Sequence, residues 1–270
     1  MVVDEGSMGT LVRRGWLQAL GDAPIPQRAH VDGRWLNAVP EGPTHGVPYT
    51  WGILGIGYRE DLVARPPSGW NDLFNPEAAL KGRILMLQDP RELVGMALKS
   101  LGYSANSAEP AELDAAEALL RRQKPFVRAY SYVNLSEKSA LVTGKAAVAM
   151  VYNGDALTLQ QIHPRIRFVT PREGTSLWVD YLTVPSRAAN KDLAYRFIDF
   201  LNRPEIAARN AAFTHYASPN RAAEALLPPE HLNDPVVYPP PEVLARCEPL
   251  GTFPPKAAKA RQQIYSRLAR

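Results

Sequence analysis

The chain contains a single cysteine among its 270 residues, and this scarcity excludes several kinds of site. Cys247 can form neither an internal disulfide nor a cysteine-based metal site, so a small apolar packing role fits it better. The five histidines show no HxxxH or HxH spacing, and no metal site is expected. No apolar run approaches the ~20 residues that a membrane-spanning helix needs.

The sequence also has little excess of positive over negative charge. The net charge is only +4 and the basic residues are scattered, whereas a nucleic-acid-binding protein concentrates them on one surface, so no nucleic-acid partner is expected. The sequence has no GxSxG elbow and no P-loop, and we predict neither a catalytic residue nor a cofactor. With 46% hydrophobic and 21% charged residues, the composition is that of an ordinary globular protein of one or two domains.

The first residues, Met1-Val2-Val3-Asp4-Glu5, lack the basic end and apolar stretch of a secretory signal. Taken alone, this start predicts a cytoplasmic protein.

Strand and helix patterns alternate along the chain. Strands are predicted at 47–58, 83–87, 126–131, 146–151, 166–169 and 178–184. Helices are predicted at 8–20, 90–101, 110–123, 136–143, 153–162, 190–202 and 256–268. The alternation predicts an α/β fold with parallel strands.

Two carboxylates, Asp89 and Glu92, stand where a predicted strand passes into a helix. Asp before Pro90, with Glu three residues later, is also a good helix start, with an N-cap and a capping box. The two interpretations are compatible, because a helix start after a strand lies at the sheet edge where α/β folds bind ligands. Arg91 could pair with either carboxylate and would then weaken a cation site.

Trp178 and Asp180 are two positions apart in a predicted strand and so share a face. A tryptophan there is more often core than ligand platform, but a carboxylate on the same face needs a partner. An organic cation would suit both groups, because ammonium is attracted by carboxylates and by aromatic faces. Arg172 or Lys145 would also serve as the partner, and the sequence leaves these alternatives open.

Two tyrosines are further candidates. Tyr152 ends an apolar strand and opens a helix, which favours the ligand edge of a sheet and a cap on the core equally. Tyr216 lies in an irregular segment that favours neither interpretation.

Five segments carry a family resemblance: VPYTWGILGIGYRED (47–61), GWNDLFNPEAALKGRILMLQDPRELVGMALKSLGYSAN (69–106), GKAAVAMVYNGDA (144–156), EGTSLWVDYLTVPSRAANKDLAYRFIDFLNRPEIAA (173–208) and THYASPNRAA (214–223). In this order they resemble the spermidine/putrescine-binding proteins, the periplasmic solute receptors of polyamine ABC transporters.

The resemblance implies an α/β fold of the two-lobed periplasmic-binding type (type II). It places residues 1–55 and 180–224 in the first lobe and residues 56–179 and 225–270 in the second, with hinges near 55–58 and 180. The first lobe would be incomplete, because the start of the chain resembles a later strand of that lobe. An incomplete lobe is expected to leave apolar surface uncovered.

The resemblance also implies roles for individual residues. Asp89, Glu92 and Asp180 match carboxylates that bind ligand amines, and Trp178 matches an aromatic wall. Tyr152 stands where a tryptophan often lines the site, and Tyr216 matches a tyrosine that borders the ligand. This chain departs from the family elsewhere: a serine and a tyrosine usually found early appear as Asp4 and Gly6, and a late glutamine falls near Leu250.

The function implied is that of a monomeric, periplasmic receptor that binds spermidine or putrescine between its lobes and presents it to the membrane permease of an ABC transporter. Three alternatives remain at this point. They are a receptor of the same fold for ferric ion, thiamine or an aminophosphonate, a truncated remnant without a working site, and an enzyme such as a hydrolase.

Overall fold

The computed structural model describes residues 1–269, along which strands and helices alternate. The strands are β1 (Val2–Asp4), β2 (Val47–Arg59), β3 (Ile84–Met86), β4 (Val127–Tyr130), β5 (Val148–Tyr152), β6 (Ile166–Val169), β7 (Ser176–Leu182) and β8 (Glu248–Pro249). The α-helices are α1 (Glu5–Arg13), α2 (Gly33–Leu36), α3 (Gly42–His45), α4 (Trp70–Phe74), α5 (Pro90–Ser100), α6 (Pro110–Gln123), α7 (Asn153–Ile162), α8 (Lys191–Leu201), α9 (Pro204–Thr214), α10 (Arg221–Glu224), α11 (Pro229–Leu232), α12 (Pro241–Leu244) and α13 (Pro255–Leu268). This arrangement confirms the predicted α/β class. None of the helices in the described residues combines the length and the apolarity that crossing a bilayer requires.

The chain divides into two compact units. Unit 1 comprises Met1–Gly52 and Trp178–Tyr238, and unit 2 comprises Ile53–Leu177 and the segment from Pro239 onward. Residues 225–238 belong to unit 1 in this division, whereas the family resemblance places them in the second lobe.

Unit 1 is built on strands in the order β1-β7-β2. Strand β1 pairs with β7 in antiparallel register, so that Val3 lies opposite Tyr181. The core includes Trp35 stacked on Trp51 with ring centroids 4.3 Å apart, and Tyr238 stands edge-on to Trp51 at 5.9 Å. This aromatic stack explains why the segment that ends at Tyr238 belongs to unit 1.

Unit 1 also exposes apolar helix surface. On α8, Ile198 is buried, but Leu193 and Phe197 are 62% and 57% exposed. On α9, Phe213 is 86% exposed. The described part of unit 1 leaves these side chains uncovered, as expected of an incomplete first lobe.

Unit 2 contains three parallel strands in the order β5-β3-β4. The second half of β2 adds antiparallel pairing to β5 and β6. Helices α5, α6 and α13 pack against one another over a large apolar core. Because β5, β3 and β4 are parallel, their carboxyl ends meet at one edge of the sheet, where α/β folds place ligands.

One predicted helix has different limits in the structure, and another predicted helix is not formed. The first helix begins at Glu5 rather than Met8 and ends at Arg13, because Gly15 adopts a left-handed conformation with φ 66°. Residues 136–143 form turns rather than a helix. Asn134 Oδ1 there accepts hydrogen bonds from the backbone N–H and the hydroxyl of Ser136, a local bonding pattern that competes with helix formation.

Candidate ligand-binding site

The six predicted ligand residues fall into two groups, one in each unit. Trp178, Asp180 and Tyr216 belong to unit 1, and Asp89, Glu92 and Tyr152 belong to unit 2. Each unit therefore presents its own set of candidate side chains.

In unit 1, strand β7 places Trp178 and Asp180 on one face. Val179 and Tyr181 between and beyond them are 1% and 0% exposed and face the core, where the Tyr181 hydroxyl donates to the Trp35 carbonyl at 2.8 Å. Trp178 and Asp180 alternate with these residues and are half-buried on the opposite face. The shared face is as predicted.

Tyr216 joins this group through the turn that follows α9. Helix α9 ends at Thr214, and His215 takes the left-handed conformation with φ 58°. The ring of Tyr216 then stands edge-on to the ring of Trp178, with centroids 4.8 Å apart. No sequence pattern predicts this contact, because Tyr216 lies in an irregular segment far along the chain from Trp178.

Asp180 occupies an electrostatically unfavourable position. Burial raises the pKa of its carboxyl group to about 6, and the negative charge of Asp4 adds to the rise. A nearby cation, such as Arg172 or Lys145, would lower the pKa of Asp180. Among the described residues, 1–269, the two causes that act on Asp180 both raise it. The surroundings of Asp180 therefore favour either a proton or an added positive charge.

Two neighbours of Asp180 were not predicted as site residues. Asp4 is its register partner across β1 and β7, and Tyr49 on β2 has a pKa raised by burial and by the charge of Asp180. In the sequence, Asp4 stands out only because it replaces a serine that the family usually has there. The register of β1 against β7 would have revealed the pairing, but the sequence pattern does not fix it.

Asp4 also has a local role as the N-cap of α1. Its carboxylate accepts hydrogen bonds from the backbone N–H of Ser7 at 3.0 Å and from the Ser7 hydroxyl at 2.7 Å. These bonds hold the Asp4 carboxylate in one orientation at the end of β1.

In unit 2, Asp89 follows β3 and caps α5. Its Oδ1 accepts hydrogen bonds from the backbone N–H groups of Arg91 at 2.7 Å and Glu92 at 3.2 Å. Glu92 lies in the first turn and is 5% exposed. The capping interpretation of Asp89 is thus realised, and both carboxylates stand at the positive end of the α5 dipole.

The start of α5 is also tied to α13. Arg261, which is 1% exposed, donates from Nη1 to the Arg91 carbonyl at 3.3 Å and from Nη2 to the carbonyls of Ala105 and Ser107. Burial, and secondly the charge of Arg91, lower the pKa of Arg261 to about 10. A buried cation therefore supports the loop and the helix start on which Asp89 and Glu92 lie.

Tyr152 lies at a strand end and also packs on the apolar core. It is the last residue of β5 and the N-cap residue of α7, and its half-buried ring packs against the main apolar cluster of unit 2. Because β5 and β3 are parallel neighbours, Tyr152 at the end of β5 and Asp89 shortly after β3 lie toward the same sheet edge. Among the described residues, no group of three or more His, Cys, Asp or Glu side chains could hold a metal ion.

Comparison with known proteins gives a consistent assignment. The family model described as "Bacterial extracellular solute-binding protein" matches residues 1–237. The spermidine/putrescine-binding periplasmic protein of Escherichia coli K12 is 35% identical over 239 residues, covering 87% of this chain and 67% of that protein. The norspermidine sensor of Vibrio cholerae is 36% identical over 247 residues, covering 91% of this chain and 67% of that protein.

The solved structures agree. The crystal structure of the spermidine/putrescine ABC transporter substrate-binding protein PotD from Streptococcus pneumoniae superimposes with a TM-score of 0.85 at 29% identity. The match covers 99% of this chain and 82% of that one. The chain therefore has the fold of type II periplasmic binding proteins, as predicted, and spans about two thirds of the length of its curated relatives. The predicted lobe limits and hinges stay predictions.

The family and these relatives are solute-binding proteins of transporters, together with one protein named a sensor, which confirms the prediction of a binding protein rather than an enzyme. The extent of the match to the family model, together with the level of identity to its curated relatives, shows that this chain belongs to the bacterial extracellular solute-binding protein family.

Proposed function

We propose that this chain binds a polyamine as the solute-binding component of an ABC transporter. The observation that carries the proposal is the setting of Asp180. This carboxylate is half-buried, stands opposite Asp4 and shares its face with the Trp178 ring. An organic cation satisfies all three features, because it neutralises the carboxylates and is attracted to the indole face. The names of the E. coli and V. cholerae relatives point to the same class of ligand.

The unit 1 group would bind one end of the ligand. Asp180 would accept hydrogen bonds from an ammonium group, and charge-assisted bonds of this kind are the strong ones. The rings of Trp178 and Tyr216 would pack against the methylene chain. Their edge-to-face contact holds them in one arrangement before the ligand arrives, which lowers the entropic cost of binding.

In the unit 2 group, Asp89 and Glu92 would bind an ammonium group, with Tyr152 as the aromatic ring. Capping does not exclude this role for Asp89, because a carboxylate has two oxygens and about four acceptor positions. The bonds from Arg91 and Glu92 go to Oδ1. The α5 dipole favours negative charge at this end of the helix, where both carboxylates lie.

Thermal unfolding with added ligand tests this proposal. Spermidine, norspermidine and putrescine would each be added to the 270-residue chain, with 1,4-butanediol as a control that keeps the chain length but lacks the amines. A ligand at 100 times its dissociation constant adds ~2.7 kcal/mol and raises the melting temperature by roughly 5–10 °C for a protein of this size. A melting temperature unmoved by all three polyamines would contradict the proposal and lead to a test of other solutes, such as aminophosphonates, thiamine and ferric ion.

We further propose a monomer that acts in the periplasm and delivers its ligand to a membrane permease. The V. cholerae relative is named a sensor, so delivery to a signalling receptor is a second candidate. Uptake of labelled spermidine by cells with and without the gene separates the two. Reduced uptake in the deletion strain supports transport, whereas unchanged uptake by cells whose protein binds spermidine supports sensing.

A further inference from the structure

We propose that Asp4 and Asp180 together bind a single ammonium group of the ligand, and that this pair makes ligand affinity fall as the pH falls. The inference rests on the proposed polyamine function and goes beyond it. It assigns a ligand-binding role to Asp4, and it predicts a pH dependence of uptake.

The geometry of the pair comes from strand register. Asp4 on β1 and Asp180 on β7 are direct partners in an antiparallel pair, so their side chains lie on the same face. Directly opposite residues of such a pair have Cβ atoms about 4.5–5.5 Å apart, and like charges there repel each other. An ammonium group has three N–H donors and can bond to both carboxylates at once, which turns the repulsion into a shared attraction.

The charged and titratable neighbours come from three elements. Strand β1 supplies Asp4, whose carboxylate is oriented by its two bonds from Ser7. Strand β2 supplies the phenol of Tyr49, whose pKa is raised by burial and then by the charge of Asp180. Glu5 at the start of α1 is buried and accepts a hydrogen bond from the Val179 N–H.

The electrostatics give the pH dependence its sign. Burial and then Asp4 raise the pKa of Asp180 to about 6. A cationic ligand binds the ionised form, so binding must release the proton wherever Asp180 is protonated. With a pKa of about 6, roughly a tenth of Asp180 is ionised at about pH 5, and affinity there should be roughly tenfold lower than at about pH 7.5. A carboxyl with an ordinary pKa would lose less than about 1.5-fold over the same range.

Calorimetric titration of spermidine into the 270-residue chain tests the pair. The Asp4→Asn variant removes the charge and keeps a good N-cap for α1. Asp22→Asn removes an exposed carboxylate of the same unit and serves as the matched control. We expect the wild type and Asp22→Asn to lose about tenfold in affinity between about pH 7.5 and pH 5. Asp4→Asn should bind several-fold more weakly at the higher pH and lose less on acidification, because the charge of Asp4 no longer adds to the rise that burial causes in the pKa of Asp180.

The outcomes separate this inference from the function on which it rests. If the wild type binds spermidine and Asp4→Asn matches Asp22→Asn at both pH values, the pair is wrong and the proposed function stands. If the wild type binds no polyamine at either pH, both fail. Should Asp4→Asn melt well below the wild type, Asp4→Ser replaces it, since serine also caps helices and removes the charge. A weaker affinity together with a flattened pH profile is the result that a merely structural role of Asp4 would not produce.

Discussion

The ring of Tyr216 stands edge-on to the ring of Trp178, with centroids 4.8 Å apart and an interplanar angle of 84°. Tyr216 reaches this position because α9 ends one residue before the left-handed turn at His215. Edge-to-face pairs are worth about 0.5–1.5 kcal/mol beyond the area that they bury. The contact therefore fixes the indole beside Asp180, on the strand face that carries the carboxylate.

Replacing Trp178 by leucine should weaken polyamine binding by about 1–2 kcal/mol, the scale of a partly desolvated cation–π interaction. Leucine keeps an apolar side chain and removes the aromatic face, so the loss reports the ring and not only the volume. Calorimetric titration measures the affinity, with Phe213→Leu as the control because Phe213 is an 86% exposed aromatic residue of the same unit. An affinity of Trp178→Leu within twofold of that of the wild type would remove Trp178 from the site.

Asp180→Asn should stabilise the ligand-free protein at neutral pH while it weakens binding. The folded-state pKa of Asp180 is raised from 3.8 to about 6, so its stabilising contribution is complete below about pH 4 and is lost as the pH rises through about 6. Above that pH the ionised carboxylate destabilises the folded state by roughly 1–3 kcal/mol. Chemical denaturation at about pH 5 and pH 8 measures this difference, which asparagine should abolish. Equal stability differences between the two proteins at both pH values would contradict the raised pKa.

The same substitution should weaken spermidine binding by roughly 1.5–3 kcal/mol, the scale of a hydrogen bond to a charged group. Higher stability with lower affinity would identify Asp180 as a residue that binds the ligand at the expense of folding. A loss of affinity below ~0.5 kcal/mol would exclude it from the site.

Two substitutions of Asp89 distinguish its capping role from its proposed ligand role. Asparagine preserves an N-cap for α5, whereas alanine removes it and should cost about 1 kcal/mol of stability. Both remove the charge and should weaken polyamine binding to a similar degree. The free energy of unfolding and the calorimetric affinity of each variant give the comparison. Unchanged affinity in Asp89→Asn, with lost stability in Asp89→Ala alone, would show that capping is the whole role of Asp89.

Arg261 should be a major determinant of the stability of unit 2. Its guanidinium donates to the carbonyls of Arg91, Ala105 and Ser107 and lies 4.1 Å from the centroid of the Phe253 ring. Arg261→Met would leave these carbonyls without their donor, and we expect a loss of about 3 kcal/mol or more. Urea denaturation measures it against Arg122→Met, which removes an exposed arginine from α6. A similar small loss in both variants would show that the buried bonds contribute little.

The sequence predicted what depends on local pattern. The cap at Asp89, the shared face of Trp178 and Asp180, and helix α8 with its Asn190 cap all follow from spacing and from side chains close along the chain. Such features are predictable because the residues that determine them are neighbours in sequence.

What depends on long-range packing was not predicted. The placement of Asp4 opposite Asp180 requires the register of β1 on β7, and the contact of Tyr216 with Trp178 requires the path of the chain after α9. One locally determined feature was also predicted wrongly: residues 136–143 have a helical pattern, but side-chain bonds between Asn134 and Ser136 favour turns. The proposed ligand, a polyamine, comes from the family resemblance, because the local pattern of Trp178 and Asp180 indicates only an organic cation.

The most direct test of the account is a calorimetric titration of spermidine into the wild-type chain and into the double variant Asp89→Asn/Asp180→Asn, which removes one carboxylate from each unit. We predict saturable one-to-one binding by the wild type, and an affinity at least about a hundredfold lower for the double variant, since two charged hydrogen bonds of about 1.5 kcal/mol or more are lost. A folded wild-type chain that gives no saturable binding, or a double variant that binds as well as the wild type, would contradict the account.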